Sequence, residues 1–284
     1  MRKSIVFCLC VAVIALFVAC NKEGVYNPSK KIQKVYELDD GQKVLVESWH
    51  WDGKLLTSID KYTGLFTNTT KFSYDDKNRL IRTDEGNAHS DFIYDGDKIS
   101  SIETYYYERL VATTTIEHSG NKISTIKFDI SLFDKAEVLN PLRFIIPEIA
   151  PVMENVAKKC SQEAKGENVT MNFTWDGNNV KTVDLTYPAL GGHVTETIDI
   201  SYDNKSNPVY GLFSMLSSYD IANFCVNKNN PVALTIRVGS VERDRMRYTY
   251  EYEGSYPTKV TCVSIEDVGT EDEDSDSSIT FLEY

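Results

Sequence analysis

Residues 72–80 have the sequence Phe-Ser-Tyr-Asp-Asp-Lys-Asn-Arg-Leu, and residues 92–99 have the sequence Phe-Ile-Tyr-Asp-Gly-Asp-Lys-Ile. Both follow one pattern: an apolar residue, any residue, an aromatic residue and an acid, then a turn, a basic residue and an aliphatic one. Strand side chains alternate between two faces, so the apolar and aromatic residues share a face. Asp followed by Gly or Asn favours a tight turn. Each copy therefore predicts a β-hairpin.

The hairpin pattern recurs along the chain. Clear further copies lie at 49–55 and 173–180, and weaker copies begin at residues 116, 200 and 250. A run of such hairpins is an antiparallel meander. The aromatic or equivalent positions of the copies are Trp51, Tyr74, Tyr94, His118, Trp175, Tyr202 and Tyr252. The acids to which we assign a turn role are Asp52, Asp75, Asp95, Asp176 and Asp203.

Aliphatic residues after the turns recur at a spacing of three. Examples are Ile99 with Ile102 and Val180 with Val183, whereas Leu80 has no such partner. In a regular strand this spacing places the two residues on opposite faces. Either a β-bulge intervenes or both faces are partly covered, and both alternatives favour a curled or closed sheet.

Two segments between the hairpins have helical periodicity. Residues 151–164 begin with Pro and place apolar side chains at a spacing of four, and the segment from Asn207 repeats this logic with Val209, Leu212 and Phe213. We therefore predict a mainly all-β fold, an antiparallel meander of hairpins forming a curled or barrel-like sheet with two short inserted helices. The sheet would be a single domain spanning residues 31–284.

Several of these segments resemble known repeats. Residues 74–80, Tyr-Asp-Asp-Lys-Asn-Arg-Leu, resemble the tyrosine–aspartate repeat of Rhs-type cell-surface proteins. Residues 202–208, 226–231 and 250–260, taken in this order, resemble Bacteroides-type lipoproteins of unknown function that have a porin-like fold. The resemblance covers most of residues 31–284 and implies fold and location, and it carries no catalytic residues. The Asn-Lys-Glu sequence at 21–23 also partly resembles a signal that exports lipoproteins to the cell surface.

The N-terminal segment predicts the location of the protein. Arg2 and Lys3 precede an uncharged run that ends in Phe-Val-Ala-Cys at residues 17–20, which resembles the lipobox cut by lipoprotein signal peptidase. The run is shorter than the ~20 apolar residues of a spanning helix. We predict a signal peptide at 1–19, lipidation at Cys20 and a lipidated tether at 20–30. The protein would be anchored in the outer membrane, on the cell surface or the periplasmic side, because several acyl chains hold a protein firmly.

Charge and cysteine content limit the classes of function. Loss of residues 1–19 changes the formal net charge from −12 to −14, because it removes two basic residues and no acid. This acidity argues against a nucleic-acid partner and against docking on anionic lipid headgroups. Cys160, Cys225 and Cys262 leave an odd number in an oxidising compartment, and their disulfide state stays open. We expect Cys225 and Cys262 to be buried.

No catalytic or metal-binding motif appears. His50, His89, His118 and His193 form no helical zinc pair, and neither a nucleophile elbow nor a phosphate-binding loop occurs. The acidic run at 271–276 lacks the spacing of a calcium loop and predicts a solvated hairpin tip. We therefore expect no metal and no cofactor, and a hydrolase is the least favoured class of function.

Aromatic residues outside the repeat positions are the candidate ligand contacts. Trp49, Tyr105, Tyr106 and Tyr107 present flat apolar faces to a sugar ring, whereas core packing accounts for Trp51 and Trp175. Three functions follow: a glycan- or nutrient-binding accessory module, an adhesion or scaffold protein that binds another envelope protein, and a secreted-side hydrolase. Charged residues on both faces of the strands argue against a transmembrane pore.

Overall fold

The computed structural model describes residues 23–129, 168–189, 192–212 and 226–284, which form sixteen β-strands and no helix. The strands are Lys34–Asp39 (β1), Gln42–Asp52 (β2), Leu55–Thr63 (β3), Phe66–Tyr74 (β4), Leu80–Glu85 (β5), Ala88–Asp95 (β6), Lys98–Tyr106 (β7), Arg109–Ser119 (β8), Lys122–Asp129 (β9), Asn168–Asp176 (β10), Asn179–Ala189 (β11), Gly192–Ser206 (β12), Asn229–Val238 (β13), Val241–Glu253 (β14), Tyr256–Glu266 (β15) and Asp274–Glu283 (β16).

The sheet is a closed antiparallel barrel. Each strand pairs with the next one along the chain, and β1 also pairs with β16, where Tyr36 lies opposite Phe281. The predicted antiparallel meander with a curled or barrel-like sheet is confirmed, and the structure shows that the sheet closes. Closure leaves no unpaired sheet edge, so the barrel offers no template for edge-to-edge aggregation.

The barrel has two different ends. The turns of the sequence repeat, which connect β2–β3, β4–β5, β6–β7, β8–β9 and β10–β11, all lie at one end, which we call the repeat end. The N-terminal strap, defined as residues 23–33, lies there too, because it leads directly into β1. The turns between β1 and β2, β3 and β4, β5 and β6, and β7 and β8 lie at the opposite, distal end.

A β-bulge follows each repeat turn and accounts for the spacing of three. In the β6–β7 hairpin, Tyr94 pairs with Ile99 and Ile93 pairs with Ser101, which leaves Ser100 as the extra residue. Ile99 and Ile102 therefore both face the interior and are buried. The hydroxyl of Ser100 donates a hydrogen bond to the carbonyl of Ile93 (3.1 Å). Equivalent register shifts stand beside Trp51, Tyr74, His118, Trp175, Tyr202 and Tyr252. Because a bulge bends a strand and increases its twist, this repetition helps the sheet to close.

The interior of the barrel is apolar. Buried residues from strands around the whole circumference form one connected cluster, to which Ile59, Phe92, Ile126, Leu185 and Leu234 belong. Tyr26 of the strap joins this cluster and donates a hydrogen bond to the carbonyl of Pro208 (2.7 Å). At ~25 cal/mol per Å² of buried apolar surface, this interior is the main source of stability.

The outer wall is polar. Asp60 accepts hydrogen bonds from His50 (2.8 Å) and Thr69 (2.6 Å), and Thr197 donates to Asp184 (2.8 Å). Exposed ion pairs, such as Lys127 with Glu117, stand between such groups. Transmembrane barrels instead have an apolar outer band about 25 Å tall and a polar lumen. Among the described residues the interior is apolar, and the outer wall is mainly polar with scattered exposed apolar side chains such as Ile93 and Val263.

The two predicted helices are not seen. The segment at 151–164 lies outside the described residues. In the described part of the second segment, residues 208–211 form turns, and the N–H of Leu212 donates to the carbonyl of Val209 (2.9 Å). Gly211 has a φ of +87°, a left-handed conformation that a right-handed helix cannot continue. Val209 and Leu212 nevertheless contribute to the core, as their apolar character predicts.

Candidate functional site

The aromatic residues of the repeats form a ring of hydrogen bonds at the repeat end. The hydroxyl of Tyr74 donates to the carbonyl of Leu56 (2.7 Å), and the hydroxyl of Tyr94 donates to that of Leu80 (2.7 Å). Trp51 and Trp175 use their indole N–H in the same way. Burial raises the pKa of both tyrosine hydroxyls. Tyr74, Tyr94 and Trp175 thus connect neighbouring strands, and Trp51 connects its strand to the N-terminal strap, so their role is structural.

The basic residue of several repeats connects one hairpin to the next. Arg79 lies 4.3 Å from the ring centre of Tyr94, and its guanidinium donates to the carbonyl of Gly96 (2.7 Å) in the following turn. Lys122 does the same with Trp175 and the carbonyl of Gly177. Each cation thus covers an aromatic face and binds a turn carbonyl. The repeat aromatics covered in this way are engaged in contacts within the protein.

The five turn acids differ in their contacts. The carboxylate of Asp75 accepts hydrogen bonds from the backbone N–H of Lys77 (2.9 Å) and of Arg79 (2.8 Å), and from the guanidinium of Arg79 (2.7 Å). Burial acts to raise the pKa of Asp75, but these hydrogen bonds outweigh it and lower the pKa. Asp52, Asp95 and Asp176 are exposed at their turns.

The segments that carry the resemblance to porin-like lipoproteins converge on Asp203. Its carboxylate accepts a hydrogen bond from the hydroxyl of Tyr252, and its Oδ1 accepts one from the backbone N–H of Asn230 (3.2 Å). Burial, followed by the contact with Asp203, raises the pKa of Tyr252. Nearby, the side chain of Asn207 donates to the carbonyl of Asn227 (2.8 Å). The three motifs therefore build one clasp at the repeat end and have a structural role.

Two of the four candidate ligand-binding aromatics are engaged within the protein. Trp49 is 3% exposed inside the barrel, and its indole N–H donates to the carboxylate of Glu47 (2.9 Å). Trp49 therefore presents no face on the outer surface. Tyr105 stacks on His89 with 4.7 Å between ring centres and donates to Glu103 (2.7 Å).

Tyr106 and Tyr107 are exposed at the distal end. Their exposed fractions are 53% and 65%, and their rings meet edge to face at 4.7 Å. The hydroxyl of Tyr107 accepts a hydrogen bond from the side chain of Asn87 (2.7 Å), and its N–H donates to the carbonyl of that residue (2.9 Å). Two contacts with the neighbouring turn thus hold this aromatic pair in place.

The β3–β4 turn adds an apolar tip to the distal end. Leu65 is 98% exposed and Phe66 is 73% exposed. Apolar side chains that are this strongly exposed, on a protein whose wall is mainly polar, mark candidate binding surfaces. We define Tyr106 and Tyr107 as the distal aromatic site, and Leu65 and Phe66, which lie two distal turns away, as a separate apolar tip.

A pair of ionisable residues is buried in the barrel, and the sequence analysis missed it. Burial raises the pKa of Glu47 to about 7, although Lys61 acts against this shift. Burial also lowers the pKa of Lys61, against the effect of Glu47 and Glu85. The alternation of Glu47, Trp49 and Trp51 along β2 was the available signal, because it places the carboxylate on the buried face.

The N-terminal strap is fastened to the repeat end. The carboxylate of Glu23 accepts hydrogen bonds from the N–H of Ile99 (2.9 Å) and from the imidazole of His118 (2.8 Å). The carbonyl of Gly24 accepts one from the N–H of Leu80 (2.9 Å). Residues 23–30 of the predicted tether therefore contact the barrel and are part of its structure.

The histidines, cysteines and acidic run are placed as follows. His50 contacts Asp60, His89 stacks on Tyr105, His118 contacts Glu23, and His193 is exposed on β12. The described residues contain no group of three or more His, Cys, Asp or Glu side chains that would hold a metal ion.

Cys262 is buried, as predicted, whereas Cys160 and Cys225 lie outside the described residues. The acidic run forms the exposed β15–β16 connection and the start of β16, as predicted.

The described part of the chain is a closed antiparallel barrel of sixteen strands, filled by apolar side chains. It is similar to a crystal structure at 2.32 Å resolution of a porin-like protein from Bacteroides uniformis, with a TM-score of 0.52 and 11% sequence identity. The match covers 92% of this chain and 99% of the other. At this identity the similarity shows the fold. No protein-family model and no curated protein matches the sequence. Among the described residues, no helix is able to cross a membrane.

Proposed function

We propose that this protein is a non-catalytic envelope lipoprotein, anchored at Cys20, that binds a glycan or nutrient through the distal aromatic site. One observation carries the proposal: the strap is fastened at the repeat end, and the exposed aromatic side chains lie at the opposite end. Only Asn21 and Lys22 separate Cys20 from Glu23. At ~3.5 Å per residue, the anchor would lie within about 10 Å of the strap, with the distal end facing away from the membrane.

The polar outer wall supports the same arrangement. A barrel whose wall faces water needs another means of attachment, and several acyl chains at one end provide it. The porin-like barrel is in line with an envelope or membrane protein.

The anchor is tested by labelling cells with radioactive palmitate. We expect label in the wild-type protein and none in Cys20→Ser, whereas Cys8→Ser within the signal segment keeps its label. Equal label in Cys20→Ser would contradict the anchor. A cysteine introduced at Leu65 and probed with a membrane-impermeant maleimide on intact cells then distinguishes the cell surface, where it reacts, from the periplasm, where it does not.

The ligand is tested by a thermal-shift screen of the purified protein against host and dietary glycans. A ligand at 100 times its Kd adds ~2.7 kcal/mol of stability, which corresponds to a shift of several degrees. We expect one glycan class to give a shift that the double variant Tyr106→Ala/Tyr107→Ala abolishes. If every glycan that shifts the wild-type protein also shifts this variant, the distal aromatic site is removed from the proposal.

The second candidate function is adhesion or scaffolding. The observation in its favour is the apolar tip formed by Leu65 and Phe66, because protein interfaces are rich in such anchors. Crosslinking on cells with a photoreactive group at position 65 would then capture one envelope protein. Phe66→Ser would abolish that product, and a glycan shift without any crosslinked product would leave the accessory function alone.

A further inference from the structure

A trench lies on the outer wall where the barrel closes. It has a volume of about 1110 Å³ and runs across β14, β15, β16 and β1. Strand pairing sets one row of side chains across these strands: Glu251 lies opposite Lys259, Lys259 opposite Phe281, and Phe281 opposite Tyr36. We call this feature the seam trench. It shares no residue with the distal aromatic site.

The floor of the seam trench is aromatic. Tyr36 and Phe281 are paired in register on the outward face, and both are half-buried. The surrounding wall carries mainly hydroxyl and charged groups, so two aromatic residues at directly opposite strand positions distinguish the trench from it. The C–H face of a pyranose ring packs against such a surface, since aromatic rings combine a large apolar area with few rotatable bonds.

The rim of the trench is charged and its cations are in excess. Four lysines and three glutamates line it, although the whole chain has a formal charge of −12. Lys259 pairs with Glu251 (2.8 Å), and the hydroxyl of Tyr36 donates to Glu283 (3.1 Å). Lys43 lies 3.8 Å from the ring centre of Phe281, and among the described residues no carboxylate pairs with it.

We propose that the seam trench binds an acidic oligosaccharide. One uronate ring stacks on Phe281 and Tyr36. Its carboxylate forms an ion pair with the ammonium group of Lys43, which moves from the Phe281 ring to the ligand. The Lys259–Glu251 pair and Glu283 exchange hydrogen bonds with the hydroxyl groups of neighbouring sugars. The lysine excess in the trench favours an acidic chain over a neutral one, because the ligand carboxylates gain a local attraction that a neutral sugar lacks.

The test is calorimetric titration of the full-length protein in detergent with tetragalacturonate and, separately, with a neutral galactotetraose. We expect binding of the acidic sugar, at least tenfold weaker binding of the neutral one, and an affinity for the acidic sugar that falls as salt rises. Lys43→Gln should lower the affinity for the acidic sugar about tenfold and leave the affinity for the neutral sugar unchanged. Phe281→Leu should weaken both sugars.

Two control variants show whether the sugar binds at the seam trench or elsewhere on the barrel. Lys71→Gln removes an exposed lysine elsewhere on the wall and should change neither affinity. Tyr106→Ala/Tyr107→Ala should also leave the trench unaffected, so the distal proposal and this one fail independently. Thermal unfolding checks that each variant is folded. Absence of acidic-sugar binding at millimolar concentration, equal affinity for the neutral sugar, or an unchanged affinity in Lys43→Gln would each overturn the proposal.

Discussion

Gly24 lies directly against the side chain of Tyr94. A Cβ atom on residue 24 would be 1.9 Å from the hydroxyl oxygen of Tyr94, and Gly24 has a φ of +75°. That hydroxyl cannot move freely, because it donates to the carbonyl of Leu80 and its ring lies under Arg79. The same strap residue accepts a hydrogen bond from Leu80. The N-terminal strap and the hydrogen-bonded ring of repeat aromatics therefore stabilise each other.

Gly24→Ala should destabilise the protein by about 2–4 kcal/mol, because steric overlap adds to the strain of a left-handed backbone. Gly53→Ala is the matched control. It also has a positive φ, +53°, but no atom lies within 4 Å of the added Cβ. The control should cost only about 1 kcal/mol. The measurement is urea unfolding, and equal losses in the two variants would show that the contact with Tyr94 is unimportant.

Tyr74→Phe should lower the free energy of unfolding by about 1 kcal/mol. The substitution removes the donor to the carbonyl of Leu56 and keeps the ring. Tyr107→Phe is the control, because its hydroxyl contacts Asn87 at the exposed distal end and should contribute almost nothing to stability. Denaturant unfolding followed by tryptophan fluorescence measures both. If Tyr74→Phe lowers the free energy of unfolding no more than Tyr107→Phe does, the hydrogen bonds of the repeat aromatics do not stabilise the barrel.

Asp75→Ala and Asp95→Ala occupy equivalent repeat positions and should differ. Asp75 accepts three hydrogen bonds, two from the backbone and one from Arg79, so its loss should cost about 1–2 kcal/mol. Asp95 is exposed, and its loss should change stability by less than about 0.5 kcal/mol. Thermal unfolding at pH 7 compares the two variants. Similar melting temperatures would refute the distinction between the two turns.

Glu47 should make the protein less stable as pH rises. Its pKa is raised from 4.5 to about 7 by burial, so the folded state binds its proton more tightly than the unfolded state does. Its contribution to stability is complete below pH 4.5 and is lost as pH rises through 7. The difference between the two pKa values corresponds to ~3 kcal/mol.

Glu47→Gln should flatten this pH dependence, because an amide accepts the hydrogen bond of Trp49 without titrating. Unfolding free energies at pH 5, 6, 7 and 8 provide the measurement. Glu117→Gln on the outer wall is the control and should leave the curve unchanged. An identical slope for the wild type and Glu47→Gln would place the pKa of Glu47 near its ordinary value.

Much of the fold was predictable because it depends on local patterns. Apolar and aromatic residues on one strand face, followed by turns that combine Asp with Asn or Gly, predicted the hairpins at residues 72–80 and 92–99. The spacing of Ile99 and Ile102 predicted either a bulge or double coverage, and the structure has the bulge at Ser100. The prediction for the segment from Asn207 failed because its apolar spacing resembles a helix, whereas the left-handed conformation of Gly211 does not allow one.

The candidate sites were less predictable. The sequence predicted Trp49 as a ligand contact because it lies outside the repeat position. Its alternation with Trp51 along β2 instead places it inside the barrel. Tyr106 and Tyr107 are exposed because the β7–β8 turn carries them. The seam trench could not be predicted from the sequence, because Tyr36 and Phe281 are brought together only when the first and last strands pair.

The sequence by itself determined the antiparallel hairpins, their turns and the apolar and polar faces of each strand, because these depend on residues within one hairpin. Only the tertiary structure decided the number of strands in the ring, the pairing of β1 with β16, and the contacts of Glu23, Glu47 and Lys43. Those features join residues far apart in the chain, and their geometry is set by closure of the barrel, which no local pattern specifies.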